Sequence, residues 1–144
     1  RRLDAVIKEP LRLRPVLPIV ARLLTQPFRV MGQTLPRGTV VAPCIYLTQR
    51  DPNVYPEPDQ FRPARFLDRA PEPYSWLPFG GGVRRCLGAS FAAVEMRIVL
   101  TTILQSVRLR AQDVRLERVT RRAVTLVPRQ GTRVLVEQRI PAGV

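Results

Sequence analysis

The sequence predicts an α+β chain: one long helix, short antiparallel hairpins and a coil that meanders between them. Three observations carry this expectation. Over residues 89–107 an apolar residue recurs at three- and four-residue spacing, through Ala89, Ala92, Ala93, Met96, Val99, Leu100, Ile103 and Val107. That spacing marks one buried face of a helix. Short apolar runs elsewhere are bounded by glycine and proline, as hairpin strands are. Seven of the 15 prolines fall between Pro52 and Pro78, and proline lacks the amide that a helix interior or a central strand needs. A coil of that length is more than a connector, because long irregular segments are as a rule functional or disordered.

Taken in order, residues 2–14 are helical in pattern through Leu3, Val6 and Ile7, but Pro10 is expected to kink or end the helix. Residues 19–24 read as a short buried strand. Phe28–Met31 and Thr39–Ala42 flank Gly32–Gly38 and are expected to pair as a hairpin. Residues 44–50 suit a short helix, and 51–78 are the coil. Residues 79–88 hold four glycines and a cysteine. The tail alternates in β fashion over 123–127 and 133–136, with a turn at Pro128–Gly131. No repeat and no second domain is visible, so residues 1–144 read as one domain. Arg1 begins in mid-pattern, which suggests a piece of something longer.

Composition narrows the function. Hydrophobic residues make up 45% of the 144, enough for a core. Net charge is +13, and Lys8 is the one lysine among 24 basic residues. The arginines are spread along the chain and not gathered in a block, which argues against nucleic acid as the partner. Two cysteines and no histidine make neither a disulfide framework nor a zinc site. A reducing, cytoplasmic compartment is expected. No apolar run approaches the ~20 residues of a membrane span, and no signal peptide is visible.

The chemistry concentrates in Phe79-Gly80-Gly81-Gly82-Val83-Arg84-Arg85-Cys86-Leu87-Gly88. Successive glycines let the backbone fold tightly and lie close to a flat ligand. A cysteine just before a helix faces free amides and partial positive charge, which favour a thiolate, and Arg84 and Arg85 act in the same direction. The local chemistry alone fits a single-thiolate metal ligand. It equally fits a buried cysteine beside a glycine turn. A phosphate loop fits less well, because its lysine and Ser/Thr are absent.

The same segment resembles the haem-ligand motif F-x-x-G-x-R-x-C-x-G of the cytochrome P450 family, with Phe79, Gly82, Arg84, Cys86 and Gly88 at every fixed position. Glu9-Pro10-Leu11-Arg12 resembles the family's E-x-x-R, and Pro63-Ala64-Arg65-Phe66 its P-E-R-F. The resemblance covers about residues 3–139. Pro10 and Ala64 depart from the commoner residues, and Gln49 stands where a histidine is frequent. Taken alone, Glu9 and Arg12 read as a solvated surface pair.

The resemblance implies the C-terminal portion of the mainly helical P450 fold and a haem-thiolate monooxygenase. Cys86 would ligate the iron of haem b, a family mode of ligation. Arg84 and Arg22 would meet its propionates, though Arg22 also reads as an ordinary strand residue, with Phe79, Gly82 and Gly88 shaping the loop. Glu9, Arg12 and Arg65 would form an ion-pair triad pinning the coil to the first helix. Val16, Leu17, Ile19 and Val124 lie in segments resembling substrate contacts and suit a small lipophilic substrate; they suit a plain core as well. An electron-transfer protein, ferredoxin- or flavodoxin-like or a flavin reductase, would dock with Arg85 and Arg97 as candidate contacts. Cys44 reads as a small buried hydrophobe. No segment resembles the family's acid–alcohol helix, so no catalytic residue is assigned and this chain alone is expected to be inactive. Two other readings stand beside this one: a silent remnant of such an enzyme, and a basic module for an anionic polymer.

Overall fold

The computed structural model describes residues 1–67, 70–113 and 117–141. Helix α1 spans Arg2–Leu13 and buries Ala5, Ile7, Glu9 and Arg12. Pro10 lies inside this helix and does not end it. The missing amide forfeits a bond to the Val6 carbonyl, but Val6 and Pro10 both lie on the exposed side. There solvent can satisfy the carbonyl, and the ring has room.

The strand expected over 19–24 shrinks to β1, Arg22–Leu23. It is not buried: Ile19 is 52% and Leu23 64% exposed. The expected hairpin is also re-paired. β2, Phe28–Val30, joins β3, Gln33–Leu35, with Val30 opposite Gln33. Met31 and Gly32 both have positive φ, 48° and 79°, which makes the two-residue mirror-image turn that suits twisted strands. A strand thus sits inside what the sequence presents as the loop. β4, Val40–Val41, turns back to pair with β1. Helix α2, Ile45–Thr48, follows, as expected of 44–50. In the coil after it, Pro63–Phe66 forms a tight 3-10 turn.

The long helix is α3, Ala89–Ser106. Its expected buried face is not buried. Ala89 alone is covered, Ala92, Met96 and Leu100 are half-buried, and Ala93, Val99 and Ile103 are exposed. Phe91, Val94, Ile98 and Leu104 are also exposed. Among the described elements, α3 packs on α1 and on the strand that follows it, too little to cover a helix that is apolar on most sides.

That strand is β5, Val107–Ala111, paired antiparallel with β8, Val134–Arg139. β6, Val119–Arg122, pairs with β7, Thr125–Pro128. The two expected tail strands therefore exist, but each pairs with a strand not foreseen. β5 is hidden at the end of the apolar helical run, and β6 is half arginine.

Among the described residues the strands form four separate two-stranded ladders. No described helix is long and apolar enough to cross a membrane. The core lies between α1 and the proline-rich coil, where Ala5, Tyr55 and Phe66 pack with Trp76. The coil is thus a packed layer that leads from α1 to the cysteine loop.

Candidate cofactor site

The cysteine loop is shaped by backbone needs that glycine meets. Gly80 and Gly82 have φ of 72° and 62°, a region that costs a side chain strain. A Cβ at Gly81 would come within 3.0 Å of the Leu77 side chain. The Cys86 amide donates to the Phe79 carbonyl at 2.9 Å and the Arg85 amide to Gly82 at 3.1 Å, closing the loop around a 3-10 turn, Gly82–Arg84. Gly88 caps α3. Cys86 is a free, exposed thiol. Val83 and Leu87, on either side of it, are each 102% exposed. The loop thus presents one sulfur in an apolar, uncovered surface. Arg84 and Arg85 are exposed beside it, while Phe79 is half-buried and stacks edge-on against Trp76 at 6.4 Å.

Glu9, Arg12 and Arg65 come together in one cluster, with Glu9 and Arg12 fully buried. Pro10 between them leaves their geometry intact. Arg12 grips Glu9 through two bonds, Nε to Oε2 at 2.8 Å and Nη2 to Oε1 at 2.9 Å. Arg65 Nε reaches Glu9 Oε1 at 3.1 Å, and the Arg62 amide donates to the same oxygen at 2.9 Å. Arg12 also donates to the carbonyls of Gln49 and Pro58, at 2.8 and 2.7 Å, and stacks over the Tyr55 ring at 5.0 Å. From there an aromatic row leads toward the cysteine loop, Tyr55 to Phe66 at 6.4 Å and Phe66 to Trp76 at 6.3 Å.

Burial pushes the Glu9 carboxyl up, but the hydrogen bonds from Arg12 and the Arg62 amide outweigh it, and the carboxyl sits below its ordinary range. The unfolded chain therefore takes a proton on Glu9 at higher pH than the folded chain does. Glu9 stabilises the fold above the ordinary carboxylate value of about 4.3, and that contribution fades as pH falls through the lower folded value. Melting temperatures measured from pH 6 to 3 should fall more steeply for wild type than for Glu9→Gln, which is the weaker protein at neutral pH. Parallel curves would show that Glu9 does not carry this slope.

Gln49 is the residue that sequence reasoning passed over as a mere departure. It is fully buried. Its amide donates to the Leu11 and Arg12 carbonyls, at 3.1 and 3.0 Å, and accepts the Leu77 amide at 2.7 Å. It ties the end of α1 to the segment entering the cysteine loop. No local pattern marks such a residue, since its partners are 37, 38 and 28 positions away. Trp76 adds a second tie, donating to the Lys8 carbonyl at 3.2 Å.

Arg22 is half-exposed on β1, and its side chain donates to the neighbouring Ala21 carbonyl at 2.8 Å. Cys44 is half-buried, so the fully buried setting expected for it is only partly realised. Arg97 is not a free surface charge: its Nε and Nη2 hold Asp4 on α1 at 2.9 and 2.6 Å. No three His, Cys, Asp or Glu side chains gather as metal ligands among the described residues. The chemistry open to this surface is that of one sulfur with flanking cations, suited to a metal inside a group that brings its own ligands.

A cytochrome P450 family model matches residues 2–136. The protein named cytochrome P450 135B1 from Mycobacterium tuberculosis is 48% identical over 134 residues, covering 93% of this chain and 28% of its own length. Cytochrome P450 137 of the same organism is 46% identical over 130 residues, covering 90% and 27%. Among solved structures, a cyanobacterial CYP120A1 with retinoic acid bound superposes with a TM-score of 0.83 at 32% identity, over 96% of this chain and 32% of that one. The haem domain of cytochrome P450DA superposes with a TM-score of 0.81 at 28% identity, over 94% and 31%. The chain spans about 28% of the length of the curated relatives it matches best among these. With a family match over nearly all its residues, this chain belongs to the cytochrome P450 family.

Proposed function

We propose that this chain is the cysteine-ligand part of a haem-thiolate monooxygenase, residues 1–144 forming part of one catalytic domain. The observation that carries the reading is the exposed sulfur of Cys86 between fully exposed Val83 and Leu87. Uncovered apolar side chains around a lone thiol are what a flat, apolar macrocycle would cover. The residues present fit haem b. Cys86 would hold the iron, and Gly82 and Gly88 would let the backbone approach. Phe79 would back the loop through its contact with Trp76. Arg84 and Arg22 would pair with the propionates; neither is in an ion pair with a described acid. Bound there, a haem would supply activation of O2: with two electrons from a redox protein and two protons, one oxygen atom would enter an organic substrate and the other would leave as water.

The role of Glu9, Arg12 and Arg65 in this reading is to hold the loop's supporting layer in place. A first test is haem titration of the purified chain followed by the ferrous–CO spectrum. A red-shifted, thiolate-type Soret band supports the reading. Haem uptake without turnover in the longer protein would instead make this a silent remnant. Failure to take up haem, with salt-sensitive binding to nucleic acid, would replace it with the basic-module reading.

The substrate would be small and lipophilic. Val16, Ile19 and Val124 are exposed apolar residues, and the Leu126 amide donates to the Val16 carbonyl at 2.8 Å, joining the segments that hold them. The retinoic acid named for the CYP120A1 structure is a ligand of this kind. Both cysteines are free thiols, which suits the reducing cytoplasm.

Electrons would come from an acidic redox protein docking beside Cys86. Arg85 is the exposed candidate contact; Arg97 is committed to Asp4. Electron-transfer rates should fall as salt rises and fall again in Arg85→Glu, because exposed charges are screened beyond about 8 Å at physiological ionic strength. Stopped-flow rates indifferent to both changes would rule this surface out.

A further inference from the structure

The segment between α1 and α2 carries a feature that the cofactor site does not use. No acidic residue occurs between Glu9 and Asp51, while Arg22, Arg29 and Arg37 lie in that span. Arg29 and Arg37 are exposed and Arg22 is half-exposed. None of the three is in an ion pair with a described acid.

Within this span the β2–β3 hairpin stands out as an arm. The Leu24 amide donates to the Thr39 carbonyl at 2.9 Å and the Gly38 amide to the Leu24 carbonyl at 2.8 Å, which closes its base. Residues 25–34 are all exposed, and β2 and β3 pack chiefly on each other. Phe28 stands opposite Leu35, and Arg29 opposite Thr34, so the ladder has two unlike faces. Phe28, Val30 and Leu35 share one; Arg29 and Thr34 share the other. At the tip Met31 is 97% exposed. Such a turn favours asparagine or aspartate before its glycine. Methionine there, at a φ of 48°, strains the backbone and sets an apolar side chain at the point of greatest exposure.

We propose that the β2–β3 arm docks on an anionic lipid surface, with Met31 and Phe28 entering the head-group layer and Arg29 and Arg37 meeting lipid phosphates. Apolar side chains that reach the acyl boundary and cations that meet the head groups act together in interfacial binding. A protein partner fits less well. A stable interface takes about 800 Å² from each side, and a convex tip between three-residue strands is too small for that. The contact is independent of the haem reading, because Cys86 takes no part in it.

Flotation of the full chain with vesicles of phosphatidylglycerol and phosphatidylcholine tests the proposal, beside vesicles of phosphatidylcholine alone. The chain should float with the anionic vesicles and bind the neutral ones at least about tenfold more weakly. A net charge of +13 would draw any face toward an anion, so the variants decide. Met31→Asn keeps the turn, since Asn-Gly suits it, and should weaken binding about tenfold by removing an inserted apolar side chain. Arg29→Gln and Arg37→Gln should each weaken it about fivefold. Arg108→Gln, on β5 in a separate ladder, should leave it nearly unchanged. All four positions are exposed, so these variants should fold. Equal binding to both vesicle types, Met31→Asn bound as tightly as wild type, or the same loss in Arg108→Gln as in Arg29→Gln would overturn the proposal. So would a wild-type chain that does not float; self-association lost in Met31→Asn would then assign the tip to a second copy.

Discussion

Arg12→Ala should unfold or nearly unfold the chain. The residue is fully buried and holds five hydrogen bonds, two to Glu9 and three to the carbonyls of Gln49, Pro58 and Gln60. Removing it leaves the Glu9 carboxylate in the interior with, among the described residues, the Arg65 contact and the Arg62 amide. Breaking a buried pair in this way costs about 3–5 kcal/mol, and a domain has only about 5–15 kcal/mol to lose. The loss should appear in denaturant unfolding as a lower midpoint, or as insoluble protein. Arg12→Lys should rescue little, because an ammonium cannot bridge both Glu9 oxygens and the coil carbonyls together. A soluble Arg12→Ala protein with an unchanged midpoint would show that the cluster does not hold the coil to α1.

Cys86→Ser should abolish the thiolate haem spectrum, while Cys44→Ser should leave it intact. The two cysteines differ in setting. Cys86 is exposed at the end of the glycine loop, and Cys44 is half-buried just before α2. A serine hydroxyl is a poor substitute for a thiolate on iron, so the red-shifted ferrous–CO band should vanish, not move. Folding should survive, because the Cys86 side chain supports no packing in the described structure. Loss of the band in Cys44→Ser, with Cys86→Ser unaffected, would reverse the ligand assignment.

Several features were legible in the sequence because they are local. The helix over 89–106, the short helix after Cys44, the coil and the glycine loop follow from periodicity, from proline's missing amide and from glycine's access to positive φ. Others were misread for physical reasons. Pro10 suggested a helix end, but its ring lies on the solvent side of α1. The span Gly32–Gly38 suggested a loop, yet Met31 and Gly32 alone make the turn. The apolar pattern of α3 suggested burial, and its amphipathic spacing could not say what, if anything, lies against it.

By itself the sequence determined the helix periods, the glycine and proline positions, the motif spacing around Cys86 and the family to which these point. Each of these depends on neighbours a few residues away. Only the tertiary structure decided which strands pair, that Glu9 and Arg12 are buried, and that Gln49 ties α1 to the cysteine loop. It also decided that Arg97 is spent on Asp4. The Gln49 and Arg97 ties rest on contacts across 28 to 93 residues. No local pattern encodes such contacts, because they form only when the coil folds back on α1 and a buried polar group must find a partner.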